Sequence, residues 1–150
     1  MERAWKPAVT VAAVIESGGR FLFVEEQTSD GLRLNQPAGH LEPGESLSEA
    51  VIREVYEETA RHFVPQALVA IYQWEKPGTE RAFVRFTFCG SVSDPEPGVE
   101  LDEGIVRTLW LDEATLRACA DRHRSPLVLR SVEDWRSGQR FALDLLAPRT

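Results

Sequence analysis

The sequence predicts an α/β fold, a mixed β-sheet with helices on both faces. Two observations carry this. Runs rich in β-branched and aromatic residues recur along the chain, and a strongly signalled helix sits between the early and later runs, with two shorter helical segments near the end. Val9 to Ile15 and Arg20 to Glu25 are strand-like and flank Ser17-Gly18-Gly19, a composition that suits a hairpin turn. Residues 34 to 42 read as extended up to Pro43-Gly44. Ser46 and Glu49 then match a capping box opening a helix through about Thr59. Ala67 to Trp74 and Ala82 to Val92 read as strands joined around Pro77-Gly78, and Ile105 to Leu111 as another. Asp112 caps a short helix, Ser125-Pro126 opens a second that stops near Gly138, and Phe141 to Leu145 reads as a final edge strand. Ser93 to Gly98 is a Pro-rich loop, and the 150 residues are expected to form one domain, 1–150.

Composition narrows the function. With 43% hydrophobic residues the chain fills a core, while a net charge of -7 argues against polymeric nucleic acid as partner, because phosphate contacts draw on clustered Lys and Arg. An acidic protein that takes a phosphorylated small molecule needs divalent cations between the like charges. The apolar stretch at the N-terminus is shorter than a membrane span and lacks a signal-peptide cleavage pattern, so a cytoplasmic location without membrane attachment is expected, as monomer or homodimer. Cys89 and Cys119 lack zinc-site spacing and read as free thiols.

Helical projection separates Val51, Ile52, Val55 and Tyr56, on one broad stripe, from Glu54, Glu57 and Glu58 on another face. Three carboxylates at i, i+3 and i+4 repel one another, and hard cations such as Mg²⁺ (or Mn²⁺) favour carboxylate and phosphate oxygens. Read alone, the same face is equally a solvated ladder of Arg53, Glu57 and Arg61. The surrounding residues decide between them. The segment GHLEPGESLSEAVIREVYEETA, Gly39 to Ala60, resembles the Nudix box, with Gly39, Glu45, Arg53, Glu54, Val55, Glu57 and Glu58 at the required spacing.

The resemblance implies a Nudix-type α/β/α sandwich and a hydrolase of phosphoanhydride bonds. It also implies that Glu54, Glu57 and Glu58 hold divalent metal with help from the Gly39 carbonyl, and that Glu45 and Arg53 brace loop against helix. Arg53 and Glu54 thereby join Glu57, the first choice for the base, in the catalytic set. Loop carboxylates Glu100, Asp102 and Glu103 are the available accessory ligands or alternative bases. The chain departs from the family pattern at Ala60-Arg61, where Gly and an aliphatic residue are usual; Ala in a left-handed helix end is strained.

Outside the box, KPAVTVAAV, FLFVEE, NQPAGHLE, RSPLV and SGQR resemble the NudJ subfamily, which implies release of orthophosphate from nucleoside di- and triphosphates and hydroxymethylpyrimidine diphosphate. The alternatives are a MutT-like pyrophosphohydrolase acting on nucleoside triphosphates and a non-catalytic nucleotide-sensing module. Three further residues are candidates for substrate contact. Trp74 could stack on a base or sit in the core, Arg85 could reach phosphate or point to solvent, and Gln36, like Asn35, could donate to substrate or satisfy backbone groups. His40 is a poor ligand for a hard, oxygen-rich site.

Overall fold

A computed structural model describes residues 3–150, so Met1 and Glu2 of the N-terminal segment lie outside it. Among the described residues seven strands form a mixed sheet, five of them in the order β3-β2-β1-β6-β5. These are β1 (Ala8–Ser17), β2 (Arg20–Thr28), β3 (Gly31–Asn35), β5 (Phe63–Glu75) and β6 (Ala82–Val92), while β4 (Ala38–His40) pairs with β1 and β7 (Ile105–Leu111) with β2. Among the described strand pairs only β1 and β6 run parallel, from Ala8↔Phe83 to Ile15↔Gly90; the others are antiparallel. The β1–β2 hairpin pairs only at its tip, Glu16↔Phe21 and Ser17↔Arg20. Beyond the tip the two strands diverge, and β1 takes β4 as its neighbour through Thr10↔His40 to Ala12↔Ala38.

Helix α1 (Leu47–Thr59) covers one face of the sheet. Val51 and Val55 pack there with Val11, Ile15, Leu68 and Phe88. On the other face Val128 and Val132 of α3 (Leu127–Arg136) pack with Val14, Phe23, Val69 and Leu116, the last from α2 (Glu113–Ala118). The α/β sandwich expected from the sequence is the observed architecture. Among the described residues no helix is long and apolar enough to cross a membrane.

Helix α1 starts as expected. The Ser46 hydroxyl accepts from the Glu49 amide at 3.1 Å and the Glu49 carboxylate accepts from the Ser46 amide at 2.9 Å. It ends at Ala60 in the left-handed region, φ 59°, with the Ala60 amide still donating to the Tyr56 carbonyl. The strain is therefore present and tolerated. The expected apolar stripe needs correction, because Ile52 is exposed and the buried face runs through Ala50, Val51, Glu54, Val55, Glu58 and Thr59. Two metal-candidate carboxylates thus lie on the packed side of the helix.

Other expectations shift too. The extended stretch 34 to 42 is split into β3 and β4 at Gln36-Pro37, where proline removes a ladder donor, and β2 with β3 forms a hairpin that the sequence reading missed. Strand β5 begins at Phe63, four residues early, because an edge strand tolerates Pro65 beside a register shift. Phe141 to Leu145 is not a strand. Phe141 makes one bridge to Leu68 and the chain then turns into a 3₁₀ helix, Leu143–Leu145. The register shifts of β5 on both sides of Leu68 leave no regular edge for a longer ladder.

Candidate active site

A cleft of about 420 Å³ opens between the inner face of α1, strand β4 and the ends of β5 and β6. Its acidic side is built by the capped helix. Carboxylate oxygens of Glu54, Glu57 and Asp102 lie within 4.8 Å of one another. Asp102 comes from the loop before β7, and its amide donates to the Glu57 carbonyl at 3.0 Å, which fixes the loop to the helix. Glu58 also lines the cleft but is turned inward, accepting from the Ala38 amide at 3.0 Å. Glu100 and Glu103 do not line it.

Arg53 organises the surroundings. Its Nε and Nη2 make a bidentate pair with Glu45, at 2.9 and 2.7 Å, and Nη2 also donates to the His40 carbonyl. Its Nη1 reaches Glu54 at 2.8 Å and Glu57 at 3.2 Å. The pairing with Arg53 holds the Glu45 carboxyl below its ordinary range. The cleft carboxyls move the other way. Burial pushes Glu54 up to about 7, against Arg53, with Glu57 and Asp102 adding like charge. Burial also raises Glu57, aided by Asp102, and takes Glu58 up to about 9. This is an acidic cluster short of positive charge.

Gly39 explains its own identity. A Cβ there would stand 2.1 to 2.3 Å from the carboxylate atoms of Glu54, far inside contact distance, so glycine leaves the room in which the Glu54 carboxylate sits against β4. Desolvated carboxylates beside a closely approaching backbone form an oxygen-rich donor set that fits a hard divalent cation.

The other side of the cleft belongs to the sheet. Trp74 and Phe83 are cross-strand partners with rings stacked at 5.8 Å and 21°, and both line the cleft. Trp74 is half-buried there. Arg85 does not point to bulk solvent: it is 6% exposed, lines the cleft and donates from Nη2 to Gln36 Oε1 at 2.8 Å and Asn35 Oδ1 at 3.3 Å. Gln36 corrects the expectation of direct substrate contact. It is buried behind Arg85, with its Nε2 donating to the Val128 carbonyl at 2.7 Å, and is absent from the cleft lining. Sequence reading missed Phe83, Arg81 and Ser125. Strand alternation between Phe83 and Arg85 was the signal that could have found the first.

The comparisons agree with this geometry. Residues 4–130 match the NUDIX domain. The chain is 39% identical over 142 residues to Phosphatase NudJ of Escherichia coli (strain K12), covering 95% of this chain and 92% of that protein. A NUDIX hydrolase from Nitrosomonas europaea superposes with a TM-score of 0.93 at 47% identity, covering 96% and 98% of the two chains. A MutT protein from Methanosarcina mazei Go1 superposes at 0.69 with 25% identity, covering 92% and 100%. The fold and the box helix thus define an enzyme of the α/β hydrolytic kind, and the chain belongs to the Nudix hydrolase family. Within that family it is similar to NudJ phosphatases over nearly its whole length.

Proposed function

We propose that the protein hydrolyses phosphoanhydride bonds of nucleoside di- and triphosphates and of hydroxymethylpyrimidine diphosphate, releasing orthophosphate with Mg²⁺ as cofactor and Mn²⁺ as a substitute. The observation that carries this reading is the convergence of Glu54, Glu57 and Asp102 in a cleft whose opposite side is aromatic. The similarity to a protein named as a phosphatase supports orthophosphate over pyrophosphate as product.

Glu54, Glu57 and Asp102 would hold the divalent cations, with Gly39 and Glu58 lining the same cleft. When bound, the cations supply the positive charge that balances phosphoryl oxygens and acidifies water. Arg53 keeps Glu54 and Glu57 in position while its bidentate grip on Glu45 locks the preceding loop. Glu57, the more open of the helix carboxylates, takes the proton of the attacking water; the water oxygen bonds to the terminal phosphorus, and the bridging P–O bond breaks to free the remaining nucleotide. Trp74, backed by Phe83, offers a flat surface for the base.

Product identification tests the reading. GDP, ADP and hydroxymethylpyrimidine diphosphate are expected to yield orthophosphate, and GTP to pass through detectable GDP, in a time course followed by phosphorus NMR. Pyrophosphate as the sole inorganic product from GTP, with diphosphates untouched, would assign the MutT-like activity instead. Full turnover in EDTA would end the metal assignment.

A further inference from the structure

Arg85 is a buried cation with no carboxylate in direct contact, the nearest negative charges being felt only at longer range from Glu26 and Glu58. Among the described residues no carboxylate lies within ion-pair distance of it, whereas Arg53 on α1 contacts four. Its hydrogen-bond acceptors, Asn35 and Gln36, are neutral amides, and its buried Nε has no partner. Burying a guanidinium in this way is costly, and burial indeed drives its pKa down to about 10, which still leaves it charged at neutral pH. A fixed neutral acceptor holds it there. Gln36 does so from behind, tied to the Val128 carbonyl, so the guanidinium is fixed against the cleft rather than free to swing into solvent.

Its neighbours give the direction. Strand alternation puts Arg85 on the same face of β6 as Phe83, and the register sets it opposite Tyr72 on β5 and Thr10 on β1. The Tyr72 hydroxyl bonds Asp134 of α3, so Arg85 enters the cleft from the α3 face of the sheet, whereas the carboxylates enter it from α1. Asn35 spends its Oδ1 on Arg85, which leaves its amide NH₂ as a second donor in the cleft lining.

We propose that Arg85, assisted by Asn35, is a phosphate-binding point that grips the phosphate departing with the organic part of the substrate, while the α1 carboxylates serve the phosphate under attack. This rests on the hydrolase reading and adds a second, cationic contact to it. A phosphate compensates the buried charge and accepts from both donors at once, whereas a neutral base would leave the charge unbalanced. Because it reads phosphate, the contact is indifferent to the base.

Binding of non-hydrolysable α,β-methylene diphosphates of adenosine, guanosine and cytidine, and of ring-free methylenediphosphonate, tests this by titration calorimetry with Mg²⁺. Arg85→Gln, which retains an amide to meet Gln36, is expected to weaken all four by 10-fold or more, the loss of one charge-assisted contact. Arg85→Lys, keeping the charge, should lose less. Asn35→Asp, which hands the guanidinium a fixed carboxylate, should also weaken all four and decides the matter should Arg85→Gln not fold. Wild-type affinities in folded variants, or a loss confined to one base, would overturn the proposal while the hydrolase reading stands. A wild-type protein that binds none of the four would overturn both.

Discussion

Arg53 sits among more negative charge than it can balance. It contacts Glu42, Glu45, Glu54 and Glu57, yet burial still raises the Glu54 carboxyl, and the guanidinium is better seen as a brace than as a neutraliser. The charge that completes the balance comes with cation and substrate. Glu57 is the member of this set with room to act, its side chain 35% exposed against 10% for Glu54. Glu57→Gln is therefore expected to lower kcat by at least 100-fold, a size typical of losing a general base or a ligand, with the far-UV circular dichroism unchanged. A near wild-type kcat would move the proton acceptor to Asp102, which shares the cluster.

At the scale of the element, α1 combines a well-formed start with a strained finish. Ala60 at φ 59° costs about 1 to 2 kcal/mol relative to glycine, while its buried methyl contributes about 0.8 kcal/mol. The first slightly outweighs the second. Ala60→Gly is expected to leave the melting temperature unchanged or raise it by a few degrees; a clear fall would mean that the methyl packs better than its area implies. The capping box, the helix length and the box spacing were legible because each is a local pattern. The burial of Glu54 and Glu58 was not, since a helical projection shows which residues share a face but not which side β4 will close upon. Likewise the shortened last element follows from bulges in β5, a distant partner.

Across the whole molecule, Glu25 ties three separate segments. It lies on β2, opposite Arg107 of β7 in the register, and also binds Arg122 from the turn that follows α2. Burial by itself would push its carboxyl up, but the hydrogen bonds from Arg122 and Arg107 prevail and hold it below the ordinary value of 4.5. A carboxyl depressed in the folded state stabilises fully above the unfolded value and loses that contribution as pH falls through the folded one. Glu25→Gln should thus melt lower than the parent at pH 7, with the gap narrowing steadily below pH 4.5. A gap that is constant down to pH 3 would show that the contact acts by packing, not charge.

The sequence by itself determined the sheet-and-helix composition, the helix that carries the box and the family, because hydrophobic period, capping and motif spacing are short-range properties of the chain. Only the tertiary structure decided which candidates meet. It brought Asp102 to Glu54 and Glu57 while leaving Glu100 and Glu103 outside, placed Gln36 behind Arg85, and set Phe83 against Trp74. These pairings join residues from separate elements through a loop anchored by backbone hydrogen bonds to α1 and β2 and through strand register. Side-chain periodicity along a single element carries no information about either.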